Sequence, residues 1–176
     1  MRFPSDPPPR TGRIIRLGLL VAAALATNLA ESLVPLPLPG AKLGIANAFP
    51  LIALLLWGPR EATIVMALRV ALGGLLSGNA LATAATAAGA TAALAVMLPL
   101  RRAFGADLSV PMLSVAGATA YNLAQTAVVA ALVGDFRLLL LFPPLGLLGV
   151  GTGWGIGLLA ERTAARVGVE RGEDRG

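Results

Sequence analysis

Residues 14–34 read IIRLGLLVAAALATNLAESLV: an apolar run with arginine at its start and Asn28 and Glu31 near its far end. The run is longer than the apolar region of a secretory signal peptide, and those two polar side chains do not suit one. It therefore reads as a retained helix of about 20 residues, the length that crosses a bilayer. Five further apolar segments follow, at residues 43–57, 62–76, 81–100, 110–133 and 138–160. The predicted fold is all-α, a polytopic membrane protein of six transmembrane helices.

The charges orient it. Arg2, Arg10, Arg13 and Arg16 precede or open the first segment, Arg60 lies in the second gap, and Arg101 and Arg102 lie in the fourth. Arg162, Arg166, Arg171 and Arg175 follow the sixth segment, so eleven of the 14 basic residues share one side. Only Lys42 and Arg137 fall in the opposite gaps, and Arg69 lies inside a segment. Positive charge is retained on the cytoplasmic side, which makes both termini cytoplasmic in a bacterial cell (inner) membrane.

Composition agrees. The chain is 56% hydrophobic and 13% charged, against roughly 25% charged in an average soluble domain, and its mean hydropathy is +0.79. Six helices with short turns consume the 176 residues, which divide into a cytoplasmic leader at 1–13, a membrane domain at 14–160 and a cytoplasmic tail at 161–176. The net charge of +5 is spread beside apolar spans, so its counter-charge is membrane lipid, with no nucleic acid partner. Without cysteine or histidine, thiolate metal sites, Cys nucleophiles and imidazole acid–base chemistry are all excluded. No catalytic residue, metal site or cofactor is expected.

Local signals shape the segments. Pro4, Pro7, Pro8, Pro9 and Gly12 break any helix in the leader, and the PLPLPG run at 35–40 imposes an extended outer loop. Pro99 and the Arg101-Arg102 pair are read as the end of the fourth span. The second and third spans, about 15 residues or 22 Å each, are short for a crossing. Ala22, Ala26 and Ala30 form one face of the first helix, suited to close helix packing inside the bundle or against a partner. Gly149, Gly153 and Gly157 repeat the device on the sixth helix, and their role is read as internal packing. The fourth helix, nearly all Ala, Thr and Gly over 80–95, has little bulk to offer lipid.

Ionisable groups at membrane depth are costly, and so point to function. Glu31, Lys42 and Arg69 gather at outer or middle depth with Asn28, Asn47, Ser77, Asn79, Tyr121, Asn122 and Gln125. The predicted substrate-binding set is Glu31, Lys42, Asn47, Arg69, Asn79, Asn122 and Gln125. Two cations, one anion and several amides suit a small polar or anionic ligand, with Arg69 or Lys42 pairing a phosphate or carboxylate. The structural alternative is that Glu31 neutralises Lys42 or Arg69 while the amides join helices.

The stretches PGAKLGIAN at 39–47, GPREA at 58–62 and LRVALGGLLSG at 68–78 resemble the Gx transporter family, also described as heptaprenyl diphosphate synthase component I. That family resembles in turn the substrate-binding S components of energy-coupling-factor transporters, six-helix proteins that capture a micronutrient from outside. The resemblance implies a transmembrane coupling subunit and two cytoplasmic ATPases as partners, with Ala22, Ala26 and Ala30 docking to the former. The chain has no nucleotide-binding G-x-x-x-x-G-K-[ST] loop of its own. Prenyl transfer needs Mg²⁺ held by clustered carboxylates, and aspartates such as Asp6, Asp107 and Asp135 stand singly. The readings are thus an importer's binding subunit or a non-catalytic membrane subunit beside a polyprenyl diphosphate synthase, with a membrane anchor for an electron-transfer complex ranked below both.

Overall fold

The structure, a computed structural model, describes residues 10–32, 44–105 and 107–173. Six α-helices run in order: α1 (Arg10–Ser32), α2 (Ala48–Leu56), α3 (Pro59–Ser77), α4 (Ala80–Phe104), α5 (Val110–Val133) and α6 (Phe142–Glu173). Short 3₁₀ turns at Ile45–Asn47 and Phe136–Leu141 lead into α2 and α6. The protein is all-α among the described residues, with the six helices that hydropathy predicts.

The ends follow local chemistry. The Asn79 side chain accepts from Ala82 N at 2.9 Å to cap α4, and Ser109 plays the same part for α5 through Met112 N at 3.4 Å. Pro59 and Pro111 sit in the first turns of α3 and α5, where a missing N–H costs nothing. Gly78 and Gly134 close α3 and α5 at φ 62° and 78°, left-handed conformations that favour glycine.

Three boundaries differ from the sequence reading. First, α1 begins at Arg10, inside the segment assigned to the leader, because only Gly12 among the leader's helix breakers lies beyond that point and one glycine is tolerated. Second, α4 passes through Pro99 and continues to Phe104. A proline removes one backbone bond, which neighbouring helices and side chains make up for in a membrane bundle, and Gly105 is the residue that stops the helix. Third, α6 runs past residue 160 to Glu173, with Ala160 and Ala164 both buried, so the start of the predicted tail continues the helix.

The short helix α2 is the centre of the bundle. Ala48, Pro50, Leu51, Ile52, Ala53 and Leu54 are all buried, as expected of a helix apolar on every side. It packs on α1, α3 and α6, while α3, α4, α5 and α6 contact in succession. Four helices are long and apolar enough to cross a membrane: Thr11–Glu31, Ala80–Phe104, Val110–Val133 and Phe136–Val167. The outside of the bundle is correspondingly apolar, with Leu75, Leu76, Leu140 and Leu147 each more than three-quarters exposed. This is a multi-pass membrane protein.

The starts of α1 and α3 meet. Arg13 near the start of α1 pairs with Glu61 near the start of α3 at 2.7 Å, joining two gaps that the charge pattern assigns to one side. The predicted glycine face on α6 is an internal seam: a Cβ at Gly153 would lie 3.1 Å from Val115 Cα, and one at Gly157 would lie 2.9 Å from Pro111 N. Gly151 and Gly155 face open space. Substituting Gly157→Ala should therefore lower stability by about 1–3 kcal/mol, the usual cost of overpacking a close seam, while Gly155→Ala should be neutral or stabilising. Thermal unfolding of the two purified variants in detergent checks the difference.

Candidate functional site

A central helix of nine residues rises only about 14 Å, and space is left at its N-terminal end. That space is a cavity of about 350 Å³. Asn28 and Glu31 reach it from α1, Asn47 from the 3₁₀ turn, Arg69 from α3, and Tyr121, Asn122 and Gln125 from α5. Met66, Met97, Leu145, Leu148 and Ile156 complete a mostly apolar wall. Two glycines admit its bulky members. A Cβ at Gly89 would sit 2.9 Å from the Tyr121 ring, and one at Gly117 would sit 2.8 Å from Met97 Cγ.

Glu31 is buried at the end of α1. Its Oε1 accepts hydrogen bonds from Ile45 N and, at 3.4 Å, from Ala46 N. These are the first free N–H groups of the turn that becomes α2, where the helix dipole and the unpaired donors both favour an anion. Gly44, at φ 74°, supplies the left-handed turn that presents them. Among the described residues Glu31 forms no ion pair with Arg69, so its carboxylate holds the chain's return into the bundle.

Arg69 is 5% exposed on the face of α3 that also carries Ala62, Val65 and Met66. The spacing of three and four residues puts these side chains on one stripe against the bundle. Its Nη2 lies 3.5 Å from Met66 Sδ, a weak acceptor, and its Nε is buried with no hydrogen-bond partner. Asn47 Oδ1 is likewise buried and unpartnered. A guanidinium Nε and an amide oxygen lacking partners beside a mostly apolar cavity are expensive unless something occupies it.

The predicted site residues separate accordingly. Glu31, Asn47, Arg69, Asn122 and Gln125 come together at the cavity. Asn122 is partly committed, donating from Nδ2 to Leu145 O at 3.1 Å and joining α5 to α6. Asn79 is exposed and does not line the cavity, because its side chain caps α4. Lys42 lies outside the described residues. Ala22, Ala26 and Ala30 are exposed, since α1 packs inward through Leu17, Val21 and Ala24. Met97, Ser114 and Thr126 line the cavity without having been anticipated. An isolated hydroxyl or thioether in an apolar helix carries no positional signal until the helix faces are known.

The fold and cavity define a multi-pass helical membrane protein with a mostly apolar cavity between its helices that carries a few polar and charged groups. Over residues 20–163 the chain matches the family model of heptaprenyl diphosphate synthase component I, and it belongs to that family. Comparisons with curated proteins and with solved structures gave no match.

The Glu31 geometry generates a prediction. Glu31→Ala should lower stability by about 1.5–3 kcal/mol, the worth of hydrogen bonds to a buried charge, and adding Arg69→Met should not restore it. Rescue by the double variant, measured by thermal unfolding in detergent, would instead make Glu31 a counter-ion to Arg69.

Proposed function

We propose that the protein is the substrate-binding subunit of an ATP-driven micronutrient importer, and that it is not itself an enzyme. The observation that carries this reading is the unpartnered pair Arg69 Nε and Asn47 Oδ1 at the cavity between the helices. Such a pair is suited to holding a small polar or anionic ligand and offers no group placed for bond-making. The ligand enters from the outer side. The six helices all cross, α2 as a short span buried by its neighbours and α3 as a charged span that buries Arg69 and exposes its leucines, and both termini lie in the cytoplasm of a bacterial cell. Energy comes from partners, a transmembrane coupling subunit and cytoplasmic ATPases. The exposed Ala22, Ala26 and Ala30 face supports a docking role on α1, because small side chains let another helix approach closely.

A second reading is favoured by the family's description: a non-catalytic membrane subunit accompanying a heptaprenyl diphosphate synthase. In that role Arg69 would meet the diphosphate and the apolar wall would meet the first isoprene units.

Native mass spectrometry of the gently solubilised complex separates the two. A coupling membrane protein with two ATPases, or a retained micronutrient, is the expected result; a soluble prenyl synthase or a bound polyprenyl diphosphate would replace the importer by the second reading. Orientation is checked in the naturally cysteine-free chain with Asp107→Cys and Arg137→Cys, both at exposed positions. An impermeant thiol reagent should label residue 137 and not 107 in intact cells.

A further inference from the structure

The cavity's charge and size narrow the ligand class, given the binding-subunit reading above. Among the described lining residues the ionisable cation is Arg69 and the carboxylate is Glu31. Glu31 Oε1 is already engaged by Ile45 N and Ala46 N, which leaves the Arg69 guanidinium, among the described residues, as the group able to take an anion. One guanidinium takes one carboxylate or phosphate group through paired N–H donors. A diphosphate brings at least two negative charges and ordinarily a divalent cation, whose ligands are several carboxylates. No cluster of three or more metal-ligating residues occurs among the described residues.

Asn47 Oδ1 adds a second requirement. It is an acceptor in want of a donor, so the ligand carries an N–H or O–H in addition to its anion. Volume adds a third. At about 350 Å³, the cavity is a little more than twice the size of one of roughly 150 Å³ that holds a benzene ring. Its described walls therefore surround on the order of 10–20 non-hydrogen atoms. The remaining wall, from Met97, Leu145, Leu148 and Ile156, gives an apolar body a place to lie.

We infer that the cavity selects a compact amphiphile with an anionic group held by Arg69, a hydrogen-bond donor held by Asn47, and a short apolar body.

The test uses the full-length protein in nanodiscs and calorimetric titration. The probes are N-acylglycines of increasing chain length, which carry a carboxylate, an amide N–H and an apolar tail. Affinity should rise from the acetyl to the octanoyl member and fall at the hexadecanoyl one. The methyl ester and the N-methyl analogue of N-octanoylglycine should each bind about ten-fold more weakly, the loss of one good polar contact. Arg69→Met should erase the preference for acid over ester, and Asn47→Leu the preference for N–H over N-methyl. The ester and N-methyl comparisons in the unmodified protein keep the inference falsifiable if either variant fails to fold.

Geranyl diphosphate binding more tightly than every acylglycine, and depending on Arg69, would overturn the inferred ligand class while leaving the binding-subunit reading intact. Indifference to the ester and N-methyl changes would also overturn it. If neither probe class binds and native mass spectrometry retains no small molecule, the inference and the binding-subunit reading fall together.

Discussion

A helix that starts inside a membrane bundle presents backbone N–H groups where lipid can satisfy none of them. The carboxylate of Glu31, reaching across from the end of α1, accepts from Ile45 and Ala46 and so allows the chain to turn into α2 at depth. Because α2 starts there, it is short enough to leave a cavity above its own end. The same arrangement that meets the backbone's needs thus creates the site. It also gives an acidic side chain near the end of an otherwise apolar helix a physical role, because its charge is matched by a helix terminus.

The rest of the bundle holds this centre in place. On one side, Gly153 and Gly157 bring the backbone of α6 against Val115 and Pro111 of α5, which sets how closely these two cavity walls approach. On the other, Arg69 projects from the inward stripe of α3, and Gly89 and Gly117 yield room for Tyr121 and Met97. Close approach at the seams and open volume at the centre are two consequences of one distribution of small residues. Their positions decide where helices touch and where they part.

Much of the fold was legible because bilayer physics is simple. Runs of apolar residues give the helices, and α5 occupies the same residues, Val110–Val133, that hydropathy assigns it. The boundaries that moved did so for local reasons: Pro99 is absorbed within α4, and α6 outlasts its apolar stretch because Ala160 and Ala164 still find a surface to pack on. Charge inside apolar segments singles out Glu31 and Arg69 in the sequence, and both line the cavity. Asn79 belonged to the same pattern in sequence, yet it sits at a helix start, where an Asn side chain is more usefully spent as a cap.

By itself the sequence determined that this is a helical membrane protein and which side chains are too costly to bury without cause, because transfer from water to hydrocarbon depends on residue type and hardly on context. Only the tertiary structure decided how those side chains are used. Whether Glu31 meets Arg69 or a backbone terminus, whether the alanines of α1 face inward or out, and whether Asn47 and Arg69 share one cavity all depend on the rotation and depth of each helix against its neighbours. Those are set by packing between segments far apart in the chain, which no local pattern encodes.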